Sequence, residues 1–118
     1  MGKSIIQEKR FQFALRIIDV YRKPHMEKEY VLSKQLLRSG TSVGPNVEEA
    51  LAAQSGKDFL SKMSIASKEA RETRYWLRVL QTSKLVSVNL NTSLVEIEEI
   101  VRILTSIAKT TVQPDSET

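Results

Sequence analysis

Apolar and small side chains recur along most of this chain at steps of three and four residues, which is the period of one face of an α-helix. In the first segment they are Ala14, Ile17, Ile18 and Tyr21. Ser4 and Gln7 precede them with the spacing of a capping box. The residue before a proline is disfavoured in the helical conformation, so the helix should end before Pro24. The pattern predicts a first helix from about Ser4 to Arg22.

Three further segments carry the same kind of stripe. The second begins near Met26 and has Leu32, Leu36, Ser39, Val43, Val47 and Ala50. The third opens with Ser55 and Asp58 at capping-box spacing and continues in heptad alternation with Phe59, Met63, Ala66, Ala70, Thr73, Leu77 and Leu80. The fourth has Leu94, Ile97, Val101, Leu104, Ala108 and Thr111, broadened by Ile100, Ile103 and Ile107. Its cap is expected at Ser87, Asn89 or Asn91.

The connections between these segments are short, near residues 23–25, 54–56 and 82–89. Short connections make sequential helices antiparallel neighbours, and no segment shows the alternation of a strand. The sequence therefore predicts an all-α, up-down-up-down four-helix bundle over residues 1–112, with helices crossing at roughly 20°. Residues 113–118 are predicted to form a flexible tail.

A cluster of small residues interrupts the second segment in the run LLRSGTSVGPNVEEA. Its GTSVG matches the G-x-S-x-G nucleophile elbow, which would make Ser42 a nucleophile, but that motif needs a strand, a placed histidine and an oxyanion hole. A phosphate-binding loop fails as well, because Pro45 and Asn46 follow Gly44 where Lys and Ser or Thr are required. A loop with Pro45 opening a new helix is a further alternative.

The interpretation we favour is one continuous helix from about Glu27 to Ala53. Gly40 and Gly44 share a face, so the backbone of another helix can approach closely there. Each interior glycine costs about 1 kcal/mol relative to alanine, and an interior proline about 3 kcal/mol more. Close packing must offset this, and we expect a kink between Thr41 and Pro45.

Composition narrows the chemistry that this chain can perform. At 118 residues it is one domain, with an apolar fraction of 41% typical of globular proteins. The absence of cysteine excludes disulfides, thiolate metal sites and a cysteine nucleophile, and His25 is the only histidine. We predict no enzymatic activity, no cofactor and no metal site. No run reaches the roughly 18 apolar residues of a membrane span and no secretory signal is evident, so a cytoplasmic location is expected.

Charge is distributed in blocks along the chain. Eighteen basic residues outnumber fourteen acidic ones, for a formal net charge of +4. Residues 1–23 and 55–88 are basic, whereas residues 24–54 and 89–118 are acidic. The first and third helices should lie diagonally in the bundle, so their basic faces would not merge within one chain. One hypothesis is that the acidic fourth helix of one protomer pairs with a basic helix of the next.

Two groups of polar residues are candidates for a site. Arg38, Asn46, Glu49 and Glu72 are predicted to form a structural polar network. They are not expected to bind a metal, because the Glu-x-x-His pairs of carboxylate metal bundles are missing. The second group consists of Arg71, Arg74 and Arg78, interleaved with Tyr75 and Trp76, and Arg10 and Arg16 of the first helix. Basic side chains beside aromatic rings are typical of nucleic-acid surfaces, although such a stripe is also found on ordinary solvated faces.

The runs YVLSKQLLRSGTSVGPNVEEA and KEARETRYWLRVL resemble the bacterial four-helix-bundle proteins encoded in intervening sequences of 23S ribosomal RNA genes. The likeness spans about residues 13–110. Its most specific positions are Arg38, Ser39, Ser42, Asn46, Glu49, Glu72, Thr73, Trp76 and Leu77. The chain is also similar to accessory proteins of diversity-generating retroelements, which form basic pentamers that bind reverse transcriptase and nucleic acid.

This resemblance implies a bundle that assembles as a homopentamer and has no established enzymatic activity. Together with the basic stripes, it leads us to expect a homo-oligomer that binds RNA or an RNA-associated protein through its arginines. The alternative is a protein interaction adaptor with no nucleic-acid role.

Overall fold

The computed structural model describes residues 2–23 and 28–116, with side chains described for residues 6–23 and 28–110. These residues form four α-helices: α1 (Gly2–Tyr21), α2 (Val31–Leu51), α3 (Gly56–Ser83) and α4 (Asn91–Ser116). The described ranges contain no strand. The predicted all-α four-helix fold is confirmed.

The helix boundaries follow local capping chemistry. α2 begins at Val31, four residues later than predicted, and its first turn is capped by the Glu29 carboxylate, which accepts the N–H groups of Leu32 at 2.7 Å and Ser33 at 3.0 Å. Predictions that concern residues 24–27, including His25, lie outside the described residues.

The other caps agree better with the sequence. Ser55 caps α3 by accepting the Asp58 N–H at 3.1 Å, as predicted. Of the three candidates for α4, the side chain of Asn89 accepts the Asn91 N–H at 2.9 Å. α4 continues through residues 113–116, which we assigned to the tail, and the mobility of that tail stays a prediction.

Contacts between the helices define an antiparallel bundle about 52 Å long. Along α1 and α4, Lys9 pairs with Glu99 and Arg16 with Glu96, so residue numbers rise on one helix as they fall on the other. The same reversal relates α1 to α2, where Arg10 pairs with Glu48 and the later residue Ile17 faces Gly40. α2 packs most extensively against α3, and α1 and α3 both pack on α2 and α4, so α1 and α3 lie diagonally as predicted.

The core is built from the predicted stripes of α2, α3 and α4, whose central members are buried. In α1 the prediction was wrong in one respect: Ile18 is 39% exposed, and the buried residues are Ile6, Phe13, Ile17 and Val20. The reason is that α1 carries two apolar faces. Phe11, Leu15 and Ile18 lie on the outer one, and periodicity alone could not tell which face the bundle would cover.

The small-residue stretch of α2 is helical throughout, with Pro45 inside the helix. A Cβ atom on Gly40 would lie 3.0 Å from Ile17 Cγ2 on α1, so this glycine sits at the closest part of the α1–α2 contact. A Cβ atom on Gly44 would lie 3.5 Å from Nη1 of Arg10, an ordinary contact distance. The predicted continuous helix is confirmed, and the predicted close approach of another helix is found at Gly40, where the partner is α1. The kink between Thr41 and Pro45 stays a prediction.

Candidate nucleic-acid interface

Arg71, Arg74 and Arg78 project from α3 at helical steps of three and four and are brought together along one side of that helix. They line an open groove of about 690 Å³ together with Tyr75, Val79, Thr82 and Ser83. The structure thus gathers the predicted α3 residues on one continuous surface.

The three arginines differ in their partners. Arg74 Nη1 lies 3.0 Å from Glu98 Oε1 on α4, so much of its charge is neutralised. Arg71 donates a hydrogen bond of 3.3 Å to the hydroxyl of Ser67. Neither Arg71 nor Arg78 forms an ion pair with any acidic group in the described ranges, and both are exposed. Two uncompensated positive charges therefore flank the groove.

Two aromatic side chains support the same face. Tyr75 is 59% exposed, and its ring meets that of Trp76 edge to face, with centroids 5.1 Å apart and an interplanar angle of 71°. Trp76 packs against the core, and its indole N–H donates to Glu72 Oε2 at 3.2 Å. The core contacts and the hydrogen bond to Glu72 fix the position of the Trp76 ring, and the Tyr75 ring packs against it.

Arg38 and Glu72 meet as predicted, between α2 and α3. Arg38 also pairs with Glu69 at 3.3 Å. Burial raises the pKa of the Glu72 carboxyl, but hydrogen bonds from Trp76 and Arg38 and the charges of Arg38 and Lys68 outweigh it and hold the pKa below its ordinary value. The ion pairs of Arg38 with Glu69 and Glu72 connect α2 to α3, and the hydrogen bond from Trp76 to Glu72 orients the indole ring.

The other predicted members of the network lie elsewhere. The Asn46 side chain donates to the carbonyl of Ser42, within α2, at 2.8 Å. Glu49 is exposed and joins neither Arg38 nor Glu72. Sequence reasoning missed Glu69, although its position three residues before Glu72 places both carboxylates on one side of α3.

The α1 arginines are not part of the α3 groove. Arg10 is largely buried beside Gly44 and pairs with Glu48, and its Nε atom has no hydrogen-bond partner. Arg16 Nε lies 2.5 Å from Glu96 Oε1 of α4. Because both guanidinium groups are paired on the far side of the bundle, we leave them out of the candidate interface.

Three carboxylates of α4 form ion pairs within the chain. Glu96 and Glu99 pair with α1, and Glu98 pairs with α3. Pairing of α4 with a basic helix of a neighbouring protomer stays a prediction.

Several other chemistries were weighed against the geometry. Ser42 donates its hydroxyl to the Arg38 carbonyl at 2.6 Å and lies within a regular helix, unlike the exposed serine of a nucleophile elbow. Within residues 2–23 and 28–116, no group of three or more His, Asp or Glu side chains is placed to hold a metal ion. No helix in that part of the chain is long and apolar enough to cross a membrane.

The chain is similar to known proteins both in sequence and in fold. Residues 2–106 match the family model for the 23S rRNA-intervening sequence protein. The fold is similar to the crystal structure of a protein of unknown function from the S23 ribosomal protein family of Bacteroides thetaiotaomicron, with a TM-score of 0.85 and 40% sequence identity. That match covers 92% of this chain and 99% of the other. Comparison with curated proteins gave no match.

Proposed function

Because the chain belongs to the 23S rRNA-intervening sequence protein family, we propose that it is a non-enzymatic, homo-oligomeric four-helix bundle that binds RNA through the basic face of α3. The observation that carries this proposal is the pair of exposed, uncompensated arginines, Arg71 and Arg78, flanking the exposed ring of Tyr75 in one groove. Guanidinium groups bind phosphate in a bidentate manner, and aromatic rings stack on bases.

The charge balance of the surface favours the same conclusion. Glu96 and Glu99 of α4 lie against α1, and Glu98 pairs with Arg74, whereas Arg71 and Arg78 form no ion pair with a described carboxylate. A polyanion that binds in the groove therefore meets these two cations along α3, with the Glu98–Arg74 pair at its α4 side.

A filter-binding titration with RNA at several salt concentrations tests the proposal. Each phosphate contact on a single strand contributes about 0.7 to the slope of log affinity against log salt concentration. The double variant Arg71→Ala/Arg78→Ala should therefore bind more weakly and show a slope smaller by about 1.4. The matched control is Arg22→Ala/Arg102→Ala, which removes two exposed arginines, one directly after α1 and one in α4, and should bind like the wild type. Equal losses in both double variants would refute a localised site.

The proposal of a homo-oligomer rests on the outer face of α1. Phe11, Leu15 and Ile18 are 55%, 49% and 39% exposed, respectively, on the side opposite the core. An apolar stripe of this kind is typical of a helix that packs against a further subunit. We take a pentamer as the expected assembly, in line with the proteins that the sequence resembles.

Light scattering coupled to size-exclusion chromatography measures this assembly. Leu15→Glu places a charge in the stripe and should dissociate the oligomer, whereas Val95→Glu, on an isolated exposed residue of α4, should not. A wild-type chain that is a monomer at micromolar concentration would contradict the proposal.

The second candidate function is an interaction adaptor without a nucleic-acid role. The same apolar face of α1 and the neutralised Arg74 favour it. Salt-independent or absent RNA binding, together with loss of a protein complex in Leu15→Glu, would select the adaptor over the RNA-binding protein.

A further inference from the structure

We propose that the α3 groove is a site for single-stranded RNA, in which an unpaired base stacks on Tyr75 while Arg71 and Arg78 hold the phosphates on either side. This inference rests on the proposed RNA-binding function and specifies the form of RNA that the site accepts. Its basis is the spacing of the three residues at i, i+4 and i+7, which places them on the same side of α3.

The α3 groove is followed at each end by a smaller hollow, and the three together form a longer track along α3. Arg71 also lines a hollow of about 180 Å³ between α3 and α4 that contains Ser64, Ser67, Thr105 and Lys109. Arg78 also lines a hollow of about 270 Å³ near Leu94 and Glu98. The two arginines thus mark the borders between successive hollows, about 10.5 Å apart along the helix axis at 1.5 Å per residue.

The chemistry of the track suits a strand that runs along α3. Guanidinium groups at the two borders can bind phosphates, and the hydroxyl groups and Lys109 of the first hollow can continue the backbone contacts. The open groove between the borders, with the Tyr75 ring on its surface, leaves space for the base that lies between these phosphates.

Tyr75 is the feature that distinguishes single-stranded from double-stranded RNA. In a duplex the faces of the bases are covered by their neighbours, so only phosphates and groove edges reach a helix surface. The Tyr75 ring is 59% exposed and is backed by Trp76, which the Glu72 carboxylate holds in place. A pre-positioned aromatic ring gains stacking contacts only from an unstacked base.

The same features disfavour an acidic peptide as the occupant. A peptide carboxylate could pair with Arg71 or Arg78, but carboxylate side chains offer no flat π face to Tyr75. The combination of an exposed ring between two cations therefore fits a base between two phosphates better than it fits a peptide.

The test compares a fluorescently labelled single-stranded oligonucleotide with a duplex of the same sequence, by anisotropy, on the full chain. Tyr75→Ala should weaken binding of the single strand about 5- to 150-fold and leave duplex binding nearly unchanged. Tyr75→Phe keeps the ring and should bind like the wild type. Tyr30→Ala is the matched control, because Tyr30 is 63% exposed, makes no side-chain capping bond and lies outside the groove. Trp76 is the only tryptophan, so its fluorescence should change when a base occupies Tyr75.

Each outcome separates this inference from the broader proposal. Loss of binding in Arg71→Ala/Arg78→Ala with unchanged binding in Tyr75→Ala would overturn base stacking and leave RNA binding intact. Equal or tighter binding of the duplex would overturn the preference for single strands. Absence of binding to both RNAs would overturn both proposals. Binding of polyglutamate with an affinity equal to that of the single strand would overturn base recognition and identify the groove as a general polyanion-binding site.

Discussion

The close contact between α1 and α2 can be tested by replacing each of the two glycines of α2 with alanine. Gly40→Ala and Gly44→Ala both add a single methyl group within the same helix. Both gain about 1 kcal/mol from helix propensity if nothing else changes. The variants differ in what the new methyl group meets on α1 and in the residue that follows, because Gly44 precedes Pro45 whereas Gly40 precedes Thr41.

At Gly40 the added Cβ would lie 3.0 Å from Cγ2 and 3.1 Å from Cγ1 of Ile17. Optimal separation of two carbon atoms is about 3.5–4.0 Å, so the methyl group overlaps with this side chain by roughly half an ångström. Ile17 is fully buried and β-branched, so it cannot rotate away easily. Overpacking of this kind costs about 1–3 kcal/mol, which leaves Gly40→Ala between neutral and about 2 kcal/mol less stable than the wild type.

At Gly44 the nearest atoms are Nη1 and Cδ of Arg10, at 3.5 and 3.8 Å, which are ordinary contact distances. Gly44 precedes Pro45, however, and a Cβ on the residue before a proline is disfavoured in the helical conformation, which offsets part of the propensity gain. Gly44→Ala should therefore change the free energy of unfolding by less than about 1 kcal/mol. Because the two sites differ in this respect, the contact of Gly40→Ala with Ile17, expected to cost about 1–3 kcal/mol, has to be isolated by a double-mutant cycle.

Urea unfolding followed by circular dichroism gives both free energies. A double-mutant cycle with Ile17→Ala checks the cause, because removal of both γ carbons should relieve the penalty of the new methyl group and give a favourable coupling energy. If Gly40→Ala is more stable than the wild type by the full propensity gain of about 1 kcal/mol, Ile17 does not limit the approach of α1, and close packing does not explain the glycine at this position.

Three further results are expected. Glu48→Ala should lower the free energy of unfolding by about 1–3 kcal/mol, because it leaves the largely buried Arg10 guanidinium without its ion-pair partner. Arg10→Met removes the buried charge itself and should change the free energy of unfolding by less than about 1 kcal/mol. Equal effects of the two variants in urea unfolding would contradict this. Glu72→Gln should be less stable than the wild type near pH 7. Since the folded pKa of Glu72 is lowered, its contribution is present above the unfolded value of about 4.3 and is lost as the pH falls through the folded value. The difference in melting temperature between the two proteins should begin to shrink as the pH falls to about 4.3 and should vanish below the lowered folded value. Glu49→Gln, which removes an exposed carboxylate outside this cluster, should leave the melting temperature near pH 7 close to that of the wild type. Lys84→Gly should raise the melting temperature by a few degrees. Lys84 ends α3 with a φ of 59°, in the left-handed region, and this conformation costs a residue with a Cβ about 1 kcal/mol. A lower melting temperature of the variant would show that no strain is released there.

The sequence by itself determined the number of helices, their order and most of the buried positions. This was possible because hydrophobic periodicity is a local property, and because the stripes of α2, α3 and α4 each offer one apolar face. The continuous winding of α2 through Gly40, Gly44 and Pro45 could also be predicted, since the apolar register passes through them unbroken. The grouping of Arg71, Arg74 and Arg78 followed from their spacing within a single helix.

Only the tertiary structure decided which charges are neutralised. Arg10 and Arg16 look the same in sequence as Arg71 and Arg78, but Glu48 and Glu96 lie opposite the first two and no described carboxylate pairs with the others. It also decided which apolar face of α1 enters the core and that Glu69, in place of Asn46 or Glu49, joins Arg38. The physical reason is that pairing and burial depend on residues far apart in the chain, whose distances are set by helix packing, whereas periodicity reports only on neighbours within one helix.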